Sequence, residues 1–264
     1  MQAPRWAPRR CLVLLVLVDH DPGLNALSAL GGFFVLHTGR PPRGPLPTLA
    51  RAYAARDADV KREVYENPVI FRVRKVARSV RAPEPRVAAS LAHLGLAARL
   101  WSVALGAAAV YGTLPDLDPR LLHWDADASA PDELWLTEVR ALPAERIGEV
   151  VRDGHLVPLA AALGAQLPIS ERLLWGNAAS ALMGAVRQID HWAAANGRRE
   201  VADRARALAA GLFAHPTLAG TLDAVTSRRR SCCLYYRLPG GGLCGDCCFD
   251  RPPGPRPLGG PRRT

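Results

Sequence analysis

Five of the six cysteines fall between Cys232 and Cys248, and only Cys11 stands apart. This clustering constrains the fold more than any other feature. A disulfide scaffold disperses its cysteines through a short secreted chain. Here they sit at the end of 264 residues of which 49% are apolar. That apolar share is enough to build a core without covalent staples, and too high for a chain that stays disordered. The cluster therefore reads as a metal site in a reducing compartment.

The spacing narrows the metal. Cys232 and Cys233 are adjacent, ten residues follow, and Cys244 and Cys247 form a Cys-x-x-Cys pair. Four thiolates meet the needs of a 2Fe-2S cluster, which takes two protein ligands per iron. Pro239 and Gly240–Gly242 supply the chain reversal between the pairs. Glycines there allow positive φ, and they are expected to let backbone N–H groups approach the sulfurs. A structural zinc site also uses four cysteines, but its ligands usually come in pairs two to four residues apart, which adjacent cysteines fit awkwardly. A redox-active Cys244–Cys247 pair calls for a helix N-terminus within a strand–helix unit, and here a glycine loop precedes it. The vicinal pair tilts the reading toward the cluster, with zinc as the alternative and Cys248 as a spare ligand.

Charge adds a second constraint. The formal net charge is +10, and between Arg228 and Thr264 eight arginines face only Asp246 and Asp250. A local positive field attracts anionic partners. No nucleic-acid motif accompanies these arginines, so nucleic acid is not expected as a partner. Arg230 and Arg237 are expected near the cluster, binding an anionic substrate or steering an acidic donor. No Gly-rich nucleotide fingerprint occurs, so electrons are expected from an external partner.

The remainder divides into stretches. Residues 1–21 form a basic then apolar leader. Arg5, Arg9 and Arg10 precede Cys11–Val18, but the apolar run is short and no small-residue cleavage site follows, so it reads as a strand or helix start. Residues 22–226 read as an α-rich domain, 227–250 as the iron–sulfur segment, and 251–264 as a disordered Arg/Pro/Gly tail. Within the domain, apolar spacing predicts helices over 22–39, 48–66, 86–101, 144–164 (interrupted at Pro158), 170–192 and 199–214. Ser170 is the expected N-cap of the 170–192 helix. A lone histidine such as His93, beside an apolar stripe, is more often a structural hydrogen-bonder than a ligand, and it is left unassigned. Asp116 and Asp118 read as turn or cap residues. Leu134–Val139 reads as a strand with Leu121–Trp124 as its partner. Gly176, Ser180 and Gly184, at four-residue steps, predict close helix packing. The apolar runs Leu100–Leu114 and Leu173–Val186 fall short of the ~20 residues that span a bilayer, so at most peripheral membrane association is expected.

On the residues quoted, the chain resembles the FhuF-like ferric siderophore reductase family, which ends in Cys-Cys, ten residues, then Cys-x-x-Cys. Cys232, Cys233, Cys244 and Cys247 match without a gap. The stretches Arg230–Arg237, Trp175–Ser180, Arg86–Trp101 and Gly31–Phe34 also resemble family segments, and the likeness covers about residues 22–249. The resemblance implies a single, mainly α domain with a small β-sheet, ending in a cysteine-rich iron–sulfur segment. It implies a cytoplasmic 2Fe-2S protein that reduces an imported ferric siderophore by one electron and draws that electron from a donor such as a ferredoxin.

Overall fold

A computed structural model describes residues 24–41, 44–55 and 67–254. The leader 1–21, residues 56–66 of the expected 48–66 helix, and residues 255–264 of the tail lie outside them. Two described helices, α1 (Leu49–Ala54) and α2 (Pro68–Ser79), start on side-chain caps. Thr48 Oγ1 accepts from the Arg51 N–H and Asn67 Oδ1 from the Ile70 N–H, each satisfying an otherwise orphaned donor.

The centre of the molecule is α3, Pro85–Tyr111. Pro85 enters its first turn, where a missing N–H costs nothing, and Gly112 closes it in the left-handed region (φ 76°). Its alanine-rich surface admits neighbours closely on nearly every side, and Leu100, Trp101 and Val103 are wholly buried. The expected 86–101 helix thus runs ten residues further and absorbs most of the Leu100–Leu114 run. By length and composition it could cross a membrane, yet 72% of its apolar window is buried inside the protein. It is the core helix of a bundle.

Residues 144–166 form one continuous rod: a 3-10 turn (Ala144–Arg146), a π-helix (Gly148–Leu156) and α4 (Val157–Gln166). Pro158 does not interrupt it. The proline occupies the first turn of α4, just where the wider π-helix hands over. Next come α5 (Glu171–Asn196) and α6 (Arg199–Phe213). Both fulfil their apolar patterns, and α5 packs along α3. Ser170 stands at the N-cap of α5, but its side chain makes no cap bond.

Among the described residues, five short strands accompany the helices: β1 (His37–Thr38), β2 (Thr113–Pro115), β3 (Leu122–Trp124), β4 (Leu134–Leu136) and β5 (Ala141–Pro143). The expected β3–β4 pair is present and antiparallel, with β1 parallel on the other edge of β4; β2 and β5 pair separately. Asp116 and Asp118 close turns through the Asp118 and Arg120 amides.

The expected 22–39 helix does not run through: among the described residues only 24–26 are α-helical. Leu27–Leu30 and Gly32–Phe34 are 3-10 turns separated by Gly31 at φ 125°, a conformation that ends any right-handed helix. The buried Arg99 of α3 holds this turn. It pairs with Glu133 at 2.9 Å and donates to the carbonyls of Gly32 (3.1 Å), Phe33 and Val35.

Candidate metal centre

After α6 the chain leaves regular structure, and hydrogen bonds to α3 and α5 fix the cysteine segment. Leu222 and Arg229 form an antiparallel bridge, and the Arg229 N–H donates to the Asp246 carbonyl at 2.9 Å, tying the two cysteine pairs together. Ser90 of α3 donates to the Cys233 carbonyl at 2.8 Å. Asn177 of α5 donates to the Ser90 carbonyl and hydroxyl at 2.9 and 3.0 Å, and accepts from Arg229 Nη1 at 2.6 Å. Arg229 Nε reaches both Asp246 oxygens at 3.0 and 3.1 Å, and Ser180 donates to the same carboxylate. All but Ser180 in this network are buried. A buried charge pair is tolerated only when both partners are satisfied, and here each is.

The α5 stripe divides its labour. A methyl at Gly176 would run into the Ser231 hydroxyl, so the glycine admits the cysteine segment. Ser180 holds Asp246. A Cβ on Gly184 would meet nothing within 4 Å, so the expected close packing does not extend there.

All five described thiols are free, with Cys233 and Cys247 buried and Cys232, Cys244 and Cys248 half-buried. Cys233 Sγ lies 3.5 Å from Cys244 Sγ. Cys232 bonds both Cys233 and Cys248, and Cys248 bonds Cys247. Backbone N–H groups point at the sulfurs: Leu234 at Cys232 (3.2 Å), Tyr235 at Cys233, and Phe249 at Cys247 (3.5 Å). These donors come from residues just after the cysteines, not from the glycine run as the sequence led one to expect. The glycines shape the reversal instead: Gly240 has φ 71°, and a Cβ on Gly241 would strike the Tyr235 and Leu238 carbonyls.

The thiols influence one another's charge. The Cys232 thiol, donating to Cys233, pulls Cys233 down to about 5, helped by the Tyr235 N–H and the Arg229 charge and opposed by burial. That bond, followed by burial, pushes Cys232 up, while Cys244 is pushed up by burial and then by the Cys233 charge. Sulfurs this close ionise together only around a shared cationic centre. Among the described residues, no three His, Cys, Asp or Glu side chains converge to hold a single ion.

Arg237 donates to Tyr236 Oη at 3.1 Å and pairs with Glu84 of the α2–α3 turn. Arg230 is exposed and faces Asp223 at 3.7 Å. Sequence reasoning passed over Ser90, Asn177, Arg228, Arg229 and Asp246. Arg228 donates to the Cys247 and Phe249 carbonyls at 2.7 Å each. Within the run Arg228–Arg230, nothing in the sequence tells the buried member from the exposed ones.

His93 is buried on α3 with Nδ1 unpartnered. Burial, and then the Arg229 charge, pull it down to about 3.

Two family descriptions match. The 2Fe-2S C-terminal domain of FhuF covers residues 229–249, the span from the buried arginine to the last sulfur contact. The family described as ferric iron reductase FhuF-like transporter covers residues 87–233, more than half the chain, including α3, both sheet pairs and α5. No curated protein sequence matches the chain. A helical bundle whose core helices anchor a cysteine segment of this spacing, with both matches abutting at Arg229–Cys233, belongs to the FhuF-like ferric iron reductase family and carries its 2Fe-2S cluster domain.

Proposed function

We propose that this protein releases iron from ferric siderophores in the cytoplasm by one-electron reduction, and that Cys232, Cys233, Cys244 and Cys247 hold the 2Fe-2S cluster. The observation that carries the reading is the meeting of the two cysteine pairs, with Cys233 Sγ 3.5 Å from Cys244 Sγ and the segment anchored to α3 and α5, where an iron–sulfur domain matches. The cluster, when bound, supplies the single electron that converts Fe(III) to Fe(II). Siderophore oxygens grip Fe(III) far more tightly than Fe(II), so the metal is then released, and each tenfold removal of product is worth ~59 mV.

The protein's part is to hold and tune. N–H groups from Leu234, Tyr235 and Phe249 stabilise negative charge on sulfur. Buried Arg229 does the same through its field and keeps the two cysteine pairs in register. Exposed Arg230 steers an anionic siderophore or an acidic ferredoxin-type donor. Arg237 is braced by Glu84.

The test is anaerobic single-turnover mixing. Reduced protein, freed of excess dithionite and mixed with ferric siderophores, should regain its oxidised visible absorption in step with Fe(II) capture by a ferrous chelator. Reduced protein that keeps its electron against every siderophore class, while giving it to ferricyanide, would make the chain an electron carrier instead.

A further inference from the structure

His93 is 2% exposed, and no group among the described residues bonds its Nδ1. An unpaired buried nitrogen costs about 1–3 kcal/mol. Such atoms are rare in native proteins, and where they occur a strained, catalytic or ligand-facing role is the usual reason.

The place of the ring narrows that role. Helix positions three apart share a face, so His93 stands one turn from Ser90 on α3. Ser90 donates to the Cys233 carbonyl and accepts from Asn177. Asn177 in turn accepts from Arg229, whose guanidinium reaches Asp246 between Cys244 and Cys247. The Arg229 charge acts on His93 and on both Cys233 and Cys244. The imidazole therefore shares its buried surroundings with the guanidinium that ties the two cysteine pairs together.

Two properties suit this ring to a sulfur centre. Burial keeps it uncharged, so it carries one N–H and one bare nitrogen. Its helix is the rigid centre of the bundle, and Ala89, Leu96 and Ala97 around it are buried. The ring thus offers a fixed donor from the scaffold, opposite in origin to the loop amides of Leu234, Tyr235 and Phe249.

We propose that His93 donates its Nδ1–H to a sulfur of the bound 2Fe-2S cluster and raises the reduction potential of that cluster. The inference rests on the four-cysteine assignment above and is independent of what the cluster reduces. A hydrogen bond to sulfur stabilises the reduced, more negative cluster, so its loss favours the oxidised form. Ser90 and Arg229 anchor the cysteine segment without His93, so its replacement spares the ligands.

The test uses holoprotein carrying nitrogen-15 in its histidines alone, reduced with dithionite and frozen for pulsed electron paramagnetic resonance. Wild type is expected to show a weak nitrogen-15 coupling on the cluster signal, and H93L to lose it. A dye-mediated redox titration supplies the second readout. H93L is expected to favour the oxidised form about tenfold, a potential lower by about 59 mV, with iron and sulfide per chain as in wild type. H93Q restores an N–H and is expected to recover part of that shift. Should H93L fail to fold, the labelled wild type and H93Q decide.

Wild-type protein with full iron and sulfide but no histidine coupling overturns the inference. So does a coupling that survives in H93L, or an H93L potential equal to wild type. Wild-type protein without acid-labile sulfide removes the four-cysteine assignment and this inference together.

Discussion

Arg229 shows how one residue can decide a site. Its guanidinium is almost wholly buried and joins Asn177 on one helix to Asp246 between the cysteines. Removing it strands a buried carboxylate and an amide, a loss of about 3–5 kcal/mol for a broken buried pair. R229M is expected to lower the thermal midpoint and to reduce iron per chain, while R229K recovers charge but not the fork and falls between. At Gly176 the constraint is space. G176A gains helix propensity of about 1 kcal/mol, yet is expected to destabilise, because its methyl meets the Ser231 hydroxyl. G176A/S231A should recover most of the loss in denaturant unfolding. The iron–sulfur segment was legible because its cysteine spacing carries chemistry. Ser90, Asn177 and Asp246 were not, because their role comes from a long-range meeting of helices that no local pattern encodes.

At the scale of elements, apolar periodicity located α3, α5 and α6 and the β3–β4 pair. It failed at 22–39 and at Pro158, where backbone conformation overrides pattern: Gly31 turns the chain, and a π-helix accommodates the proline. The π-helix also buries His155, whose Nε2 donates to the Leu117 carbonyl at 2.6 Å while Nδ1 accepts from Tyr53 at 2.9 Å. Burial pulls this imidazole down to about 4, with smaller opposing contributions from the Leu117 bond and the Asp118 charge. In the unfolded chain it titrates near the ordinary ~6.5. The native state therefore binds fewer protons between those values. Stability should be flat above about pH 6.5 and fall as pH drops toward 4. Denaturation midpoints across pH 4–8 should show that slope, and H155Q should make it shallower.

For the whole molecule, two irregular segments, the Gly31–Phe34 turn and the cysteine segment, meet across the α3–α5 pair. The helices are a scaffold whose rigidity keeps the chemistry in place. The mainly α class was legible in the sequence; this convergence was not, since it joins residues two hundred positions apart. The basic surface also works at this scale. R230E should slow oxidation of an acidic ferredoxin by this protein at low salt and lose that effect at high salt, leaving iron content unchanged.

Iron, acid-labile sulfide and zinc in anaerobically purified protein test the central claim most directly. The account predicts two irons and two sulfides per chain, retained in C248S and lost when Cys232, Cys233, Cys244 or Cys247 becomes serine. Stoichiometric zinc without acid-labile sulfide would contradict it.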